Sequence, residues 1–428
     1  MASLCVFSPE NNFSHIINKN PASGMSAKEL KKGYTFGYFS NENQYNVVFF
    51  DGMDEISFPT HVNQEFEYLD YTRYSSPLFV FNTLKNFFSG AMNKPNEFDK
   101  PGSYTFQVTS VQIKRFALFE RIRQYFEKDF QISTNHIPHT HSDEYYNNYK
   151  LTVKVESKSM HELLNFMYML SFFIITLNHI EFDLNIDIIK KVIKAANIVN
   201  SPYYVKYLIK FFAIKNTKDF AAVKDLLNEN ENHKFNFKAY SNFDARYNDV
   251  MNQLISNKNV VDVGCGEGNY LKIAEKIETM YYAIDRDEEK RSIVKKKVDK
   301  HNLKNVEILE SIDAFFNEDV DNYIVLLSEV IEHNSLEDAT NILKRFFNDE
   351  QCKKIIITTP NKDFNKFYLI DDNATRHDDH KFEFTEQEAI SYFENLVKNT
   401  RFKLKIKHLG DEVDNIPTTL LIILTLEG

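Results

Sequence analysis

The stretch Asn259-Val-Val-Asp-Val-Gly-Cys-Gly-Glu-Gly268 decides the fold of the second half of this chain. The apolar run Asn259 to Val263 predicts a short buried strand, and three glycines that let the backbone pass close to a ligand follow it. A helical pattern from Tyr270 to Ile277, a strand from Tyr281 to Ile284 and the acidic Asp285 come next. This succession predicts a βαβ unit and therefore a parallel sheet.

A second stretch, Ser328-Glu-Val-Ile-Glu-His333, lies between an apolar β-rich run and a helical pattern from Leu336 to Phe347. It occupies the end of a strand, where α/β sheets bind ligands. If Glu329 begins a helical turn, Glu332 and His333 project from the same face, and two carboxylates beside an imidazole are costly without a cation. The alternative is a solvated helix start, where acids favour the positive end of the helix dipole.

Composition restricts the possible functions. The chain has 428 residues, a formal net charge of -10 and three cysteines without paired spacing. General affinity for phosphate backbones is therefore not its main attraction to a partner, and the cysteine spacing argues against a disulfide framework or a cysteine-rich zinc site. Reduced cysteines favour a cytoplasmic location. The longest apolar run, Leu163 to Leu177, contains Asn165, Ser171 and Thr176, and is expected to be a buried helix without a membrane role.

The first half of the chain has mixed secondary-structure patterns. Strand-like patterns up to Gln112 and a polar stretch from Glu229 to Lys234 bracket an α+β domain that we place at residues 1–235, ahead of a second domain at 236–428. The strongest local patterns are helices at Pro77 to Phe88, Phe116 to Phe130 and Met160 to Leu177, strands at Asn46 to Phe50 and Lys150 to Glu156, and a helical segment from Ile186 to Leu227.

Two clusters in the first half allow more than one interpretation. Tyr68 to Tyr74 is rich in tyrosine and contains Arg73, which suits base stacking, although the edge of a core explains it more simply. His136, His139 and His141 form a histidine-rich tract, and such tracts can bind metal. No carboxylate or cysteine lies at ligand spacing, so we expect these histidines to be incidental.

The glycine stretch resembles the nucleoside-binding loop of class I S-adenosylmethionine-dependent methyltransferases, because Asp262 precedes the first glycine by two residues within the strand. The resemblance implies a Rossmann-like α/β methyltransferase domain. It also implies that Asp285 binds the ribose hydroxyls of S-adenosylmethionine and that Ser311 lies beside the adenine. The implied cofactor-binding set is Asp262, Gly264, Cys265, Gly266, Gly268, Asp285, Ser311 and Ser328.

Three further motifs occur in order: Ser328 to His333, Thr359-Pro-Asn-Lys-Asp-Phe-Asn365 and Asp379-His-Lys-Phe-Glu-Phe384. Together they resemble the Hua-enhancer type RNA 3′-terminal 2′-O-methyltransferases. The resemblance implies Mn²⁺ or Mg²⁺ as a cofactor, with His377 as a rival to the fourth ligand. The implied metal ligands, which are also the catalytic residues, are Glu329, Glu332, His333 and His380.

The first half resembles the N-terminal domain of the bacterial members of that family, at Tyr74 to Phe79 and at Leu163 to Phe182. The implied function is methylation of the 2′-hydroxyl of the 3′-terminal ribose of cleaved RNA during RNA repair. Its substrate would be an RNA 3′ end with a free vicinal diol, and its partner a polynucleotide kinase-phosphatase whose ligase activity the N-terminal domain supports. The alternatives are methylation of a small molecule or protein, or a main role as an assembly factor that activates an RNA ligase.

The chain departs from the family pattern in places. Phe384-Thr385-Glu386 replaces the usual Trp-Thr-Arg, which removes a basic contact to RNA, and Asp363 stands where Glu is commoner. Lys295, Lys296 and Lys297 could contact RNA phosphates, although a solvated helix face explains them equally well.

Overall fold

The computed structural model describes residues 2–30, 33–51, 74–137, 148–180, 182–217, 219–239, 241–371 and 374–426. Two compact units divide the chain, at residues 1–230 and 231–428. The short strand Phe235–Asn236 follows this boundary and pairs within the sheet of the second unit.

The first unit contains a seven-stranded antiparallel sheet in the order β2-β3-β4-β1-β5-β7-β6. Inward-facing positions alternate with outward-facing ones, as in β3, where Gly33, Thr35 and Gly37 are buried. The strands are β1 (Ala2–Phe7), β2 (Ser26–Leu30), β3 (Gly33–Asn41), β4 (Gln44–Asp51), β5 (Gly102–Gln112), β6 (Gln131–His136) and β7 (Asn148–Lys158).

Helices α2, α3 and α6 of the first unit pack against one apolar helix, α5, which begins and ends as the sequence predicted. The Ser159 side chain accepts a hydrogen bond from the backbone N–H of Glu162 and caps its start. Among the described residues α5 is the one helix long and apolar enough to cross a membrane, but 89% of it is buried within the unit, as in a core helix. The helices are α1 (Phe13–Ile16), α2 (Pro77–Phe87), α3 (Ser89–Asn93), α4 (Phe116–Gln124), α5 (Met160–Leu177), α6 (Ile186–Ile198), α7 (Tyr203–Thr217) and α8 (Lys224–Asn228).

The second unit is built on an eight-stranded sheet in the order β11-β10-β9-β12-β13-β15-β14-β8. Strands β9 to β13 are parallel, and β15 is inserted antiparallel between β13 and β14. The strand order reverses between β9 and β12, which makes the ends of these strands the expected ligand site. The strands are β8 (Phe235–Asn236), β9 (Asn259–Val263), β10 (Tyr281–Ile284), β11 (Val306–Leu309), β12 (Tyr323–Ser328), β13 (Cys352–Pro360), β14 (Phe402–Val413) and β15 (Ile416–Leu426).

Helices cover both faces of this sheet. Side chains alternate along β9, so Val261 and Val263 join one buried cluster while Val260 joins the other. Burial on both faces explains the near-continuous apolar strands that the sequence showed. The helices are α9 (Asn242–Leu254), α10 (Glu288–His301), α11 (Ile312–Asn317), α12 (Leu336–Asn348) and α13 (Glu386–Val397).

Two predicted helices are shorter than expected. The helix predicted at Phe116 to Phe130 ends at Gln124, and turns follow it. The other is also more tightly wound. The segment Tyr270 to Ile277 forms a 3₁₀ helix at Leu271–Glu275. The side-chain amide of Asn305 lies within 3.1 Å of the carbonyl oxygens of Ala274, Ile277 and Thr279. These carbonyl groups are thereby satisfied outside an α-helical ladder, and the chain leaves the helix early.

Candidate active site

The acidic segment after β12 does not form the helical turn that the sequence suggested. Glu329 has a φ of 56°, in the left-handed region that non-glycine residues rarely adopt. Its backbone N–H donates to the carbonyl of Thr358 on the neighbouring strand, and a 3₁₀ helix follows at Ile331–His333. The expectation that Glu329 begins a helix is therefore wrong. The left-handed backbone at Glu329 directs the following segment inward, and the side chain of Glu332 is buried.

Three of the four expected metal ligands lie together. Oxygen and nitrogen atoms of Glu332, His333 and His380 lie within 4.8 Å of one another. Glu332 and His380 are buried, and the imidazole rings of His333 and His380 meet edge to face, with their centroids 4.8 Å apart. The backbone N–H of Lys381 donates to the carbonyl of Glu332 at 2.7 Å, which fixes the segment carrying His380 against the 3₁₀ helix.

The carboxylate of Glu332 is only partly satisfied by the protein. Its Oε2 accepts a hydrogen bond from the Thr359 hydroxyl at 3.2 Å, whereas its buried Oε1 has no partner among the described residues. Burial, and then the nearby charge of Glu329, raise the pKa of Glu332 well above its usual range. A buried carboxylate oxygen beside two imidazoles is the arrangement that a divalent cation would satisfy, so these residues fit a metal site.

Both candidate imidazole ligands have a carboxylate at Nδ1. Glu383 Oε1 lies 2.6 Å from Nδ1 of His380, and Asp379 Oδ2 lies 3.1 Å from Nδ1 of His333. A carboxylate only accepts, so Nδ1 of His380 carries the proton and its Nε2 keeps a lone pair for a ligand. Sequence reasoning assigned no role to Asp379 or Glu383, although both lie within the quoted third motif.

Glu383 lies at the centre of a buried network that joins the second and third motifs. Its other oxygen accepts from the side chain of Asn365 at 2.6 Å, and its Oε1 also accepts from the backbone N–H of Arg376 at 2.7 Å. The Arg376 guanidinium in turn donates to Asn365 Oδ1. Burial alone would raise the pKa of Glu383, but the hydrogen bonds from Asn365, His380 and Arg376 outweigh it and lower that pKa. The group is therefore ionised.

The fourth expected ligand, Glu329, has other partners. Its Oε2 forms an ion pair with Nη1 of Arg246 on α9 at 2.8 Å, and its Oε1 accepts from the Thr358 hydroxyl at 3.2 Å. It lies close enough to Glu332 to raise the pKa of that residue, but it is not one of the three clustered ligands. The rival His377 packs against His380, with ring centroids 5.1 Å apart, and also lies outside the cluster.

A cleft of about 630 Å³ lies at the ends of the parallel strands. It is lined by Gly264, Gly266, Asp285 and Ser311 on one side and by Glu329 and His333 on the other. A Cβ at Gly266, whose φ is 54°, would enter open space in the cleft, so the loop leaves room that a nucleoside could occupy. The cleft thus joins the glycine loop to the acidic segment in one cavity.

Four of the expected cofactor-binding residues do not line this cleft. Asp262 is buried within β9 and accepts a hydrogen bond from the Tyr281 hydroxyl, and burial raises its pKa to about 7. Gly268 packs against Val294. The others are Cys265, which is buried, and Ser328, whose hydroxyl lies 3.0 Å from those of Tyr270 and Thr358.

The residues that do line the cleft hold the loop in place as well. Asp285 accepts from the backbone N–H groups of Gly266, at 2.8 Å, and Asp287, at 2.9 Å. The Ser311 hydroxyl caps α11 by accepting from the N–H of Ala314. Both side chains are therefore positioned before any ligand arrives.

The remaining candidates lie away from the clustered ligands. His139, His141 and the stretch 68–73 fall outside the described residues, while Tyr74 is half-buried against Phe49. His136 lies at the end of β6 against Tyr149. Glu386, which stands in place of the family arginine, pairs with Nε2 of His408 at 2.8 Å.

Comparison with known proteins gives relatives for both units. A curated small RNA 2′-O-methyltransferase of Drosophila melanogaster is 29% identical over 171 residues, which cover 36% of this chain and 42% of the relative. One of Tetrahymena thermophila is 32% identical over 82 residues, covering 19% of each chain. The match thus spans less than half the length of these relatives.

Solved structures match over the whole chain. A chain of "Structure of the Pnkp1/Rnl/Hen1 RNA repair complex" is 24% identical, with a TM-score of 0.76 over 99% of this chain and 100% of that one. A chain of "Structure of Pnkp1/Rnl/Hen1 complex" is 22% identical, with a TM-score of 0.79 and the same coverage. At these identities the likeness establishes the fold of both units.

Family models account for most of the sequence. A model described as a methyltransferase domain matches residues 234–396, which confirms the predicted fold class of the second unit. A model described as the Hen1 N-terminal domain matches residues 3–232, more than half of the chain. The chain therefore belongs to the Hen1 family, and it carries the Hen1 N-terminal domain followed by a methyltransferase domain.

Proposed function

We propose that this protein transfers a methyl group from S-adenosylmethionine to the 2′-hydroxyl of the 3′-terminal ribose of RNA, with the help of a divalent cation. The observation that carries the proposal is the single cleft that Gly264 and Gly266 share with Glu329 and His333. It brings a nucleoside-sized space next to the clustered ligands. The curated small RNA 2′-O-methyltransferases to which the chain is similar support the same reaction.

The glycine loop and the acid after β10 would hold the cofactor. Gly266 leaves the backbone open to a close approach, Gly264 lies against Val330, where a Cβ would come within 2.7 Å of that side chain, and the Asp285 carboxylate lines the same cleft. Bound S-adenosylmethionine supplies an electrophilic methyl group. Asp285 already accepts two backbone hydrogen bonds, so it is oriented for the ribose without a change of rotamer.

Glu332, His333 and His380 would hold the cation, with Glu329 as a fourth ligand when it leaves Arg246. Two imidazoles beside carboxylates favour Mn²⁺ over Mg²⁺. A bound cation supplies open coordination positions and lowers the pKa of a hydroxyl placed there. Glu383 and Asp379 keep the Nε2 atoms of the two imidazoles available, and Thr359 orients the carboxylate of Glu332.

The substrate that suits this site is an RNA 3′ end with a free vicinal diol. Two adjacent hydroxyls can approach one cation together, whereas DNA lacks the 2′ oxygen and a 3′ phosphate blocks its neighbour. We further propose that the cation-dependent reaction belongs to RNA repair in the cytoplasm. Residues 1–230 would then bind a polynucleotide kinase-phosphatase and activate its ligase.

A methyl-transfer assay tests the proposal. Purified protein is incubated with S-adenosylmethionine, Mn²⁺ and short RNA oligonucleotides, and mass spectrometry of nuclease digests locates the added methyl group. We expect methylation of RNA with a 3′ diol and none of DNA or of RNA with a 3′ phosphate. Equal transfer to all three would refute the substrate.

The same assay separates the alternative acceptors. Activity that survives chelation and the substitution Glu332→Ala would favour a small molecule or a protein as the substrate, with the acidic cluster idle. Ligase stimulation by residues 1–230, which form a compact unit of their own, would indicate an assembly role beside the chemistry.

A further inference from the structure

A second groove, of about 470 Å³, lies on the other side of the glycine loop. Its walls are α9, the 3₁₀ helix Leu271–Glu275 and α10. Two aromatic side chains of α9, Phe243 and Tyr247, lie one turn apart along it, and three lysines, Lys272, Lys297 and Lys300, line it as well. No role in the reaction described above uses these side chains.

Stacked rings connect this groove to the candidate active site. The ring of Phe243 stacks on Tyr247, with centroids 6.0 Å apart, and Tyr247 stacks on Tyr270, with centroids 5.6 Å apart and planes inclined by 13°. The hydroxyl of Tyr270 lies 3.0 Å from that of Ser328, which precedes Glu329. Helix α9 also supplies Arg246 to Glu329, so one helix borders both the groove and the acids.

The groove has three lysines against two carboxylates, Asp244 and Glu275, in a chain of negative net charge. Among the described residues, Lys272 and Lys300 have no acidic partner, and Lys297 donates to the backbone carbonyl of Glu267. The acids of the groove are engaged: Asp244 accepts from the Ser241 hydroxyl at 2.6 Å, and Glu275 lies 3.7 Å from His301. Phe243 lines the groove, is 41% exposed, and has the guanidinium of Arg246 5.7 Å from its ring centroid.

We infer that this groove binds the single-stranded RNA segment that precedes the 3′-terminal nucleotide. Lys272 and Lys300 pair with phosphates, and a base stacks on Phe243, which is the combination that single-stranded nucleic-acid grooves use. Helix α9, which lines the groove, also carries the Arg246 partner of Glu329, so an RNA strand that follows α9 runs towards the acidic segment. This inference rests on the proposed function, because it assumes RNA as the substrate.

The test measures binding of a 5′-fluorescein-labelled 12-nucleotide RNA to the full-length protein by fluorescence anisotropy at several salt concentrations. The logarithm of the RNA association constant falls linearly with the logarithm of salt concentration, and each phosphate contact on a single strand contributes about 0.7 to the steepness. For the double substitution Lys272→Ala and Lys300→Ala we therefore expect the dependence to be less steep by about 1.4. For Phe243→Ala we expect binding about tenfold weaker, with recovery in Phe243→Tyr. We expect the KM of a dinucleotide substrate, which lacks the preceding nucleotides, to be unchanged in these variants.

The matched control is Lys295→Ala with Lys296→Ala, which removes the same charge from exposed positions of α10, the helix that also carries Lys300, outside the groove. An unchanged slope in the groove variant, or an equal change in the control, overturns the inference. If the wild-type protein methylates RNA and the groove variant binds RNA as tightly as the wild type, the groove inference is refuted but the proposed function is not. Wild-type protein that neither binds nor methylates RNA refutes the proposed function itself.

Discussion

Replacing Glu383 with glutamine tests how the protein prepares His380 for metal. Glu383 accepts three hydrogen bonds at 2.6–2.7 Å, from His380, Asn365 and the backbone of Arg376, and its side chain is buried. Glutamine has the same shape, but one of its two ends is a donor. At least one of the three buried donors must therefore lose its acceptor, or His380 must move its proton to Nε2.

The expected magnitudes follow from that change. An unsatisfied buried donor costs about 1–3 kcal/mol, and each kcal/mol lowers the melting temperature of a domain of this size by about 2–4 °C. Loss of the carboxylate behind a histidine ligand weakens metal binding by roughly 10–100-fold. We therefore expect a Mn²⁺ dissociation constant raised by at least tenfold in a protein that remains folded at 25 °C.

Isothermal titration calorimetry with Mn²⁺ measures the constant without an activity assay. Glu388→Gln is the matched control, since it makes the same change at an exposed residue of the capping box that begins α13. A dissociation constant within twofold of the wild-type value in Glu383→Gln would refute the reasoning. So would a nitrogen-15 spectrum showing that wild-type His380 carries its proton on Nε2.

Other variants test the cleft and its surroundings. Gly266→Ala places a methyl group in the cleft, so calorimetry should show S-adenosylmethionine binding weakened at least tenfold, whereas Gly24→Ala, with similar backbone strain and equally open space, leaves it unchanged. Burial raises the pKa of Asp262 from 3.8 to about 7, so the folded state holds a proton that the unfolded chain releases. The free energy of unfolding, measured by denaturant titration, should therefore fall as pH rises across about 4–7. In Asp262→Asn this dependence of the free energy of unfolding on pH should be weaker. Arg246→Gln frees Glu329 from its ion pair, and the same Mn²⁺ titration should show affinity raised several-fold; unchanged affinity would mean that Glu329 does not take part.

The sequence was most informative where one local pattern carries the structure. The strands β9 and β10 and the helix α5 begin and end where predicted, because buried apolar runs leave little choice of element. The grouping of Glu332, His333 and His380 was expected from family motifs, and the structure brings those three side chains together. Their role as metal ligands remains a prediction.

Long-range partners explain what the sequence could not provide. Arg246 lies far from Glu329 along the chain. No local pattern in the sequence indicates an ion pair between α9, which precedes β9, and the end of β12. The left-handed backbone of Glu329 depends on its hydrogen bond to Thr358 of β13, which is again distant in sequence. The early end of the predicted helix after the glycine loop similarly depends on one distant amide, that of Asn305.

The position of β15 constrains how the second unit can assemble. This strand, Ile416–Leu426, lies between β13 and β14, so it pairs with a strand made much earlier and with its own hairpin neighbour. Until β15 has been synthesised the sheet is incomplete, and the backbone hydrogen-bonding groups at the edge of β13 are unpaired and prone to pair with other chains. Fragments that stop short of residue 416 should consequently aggregate before they can reach a native fold, whatever their remaining motifs.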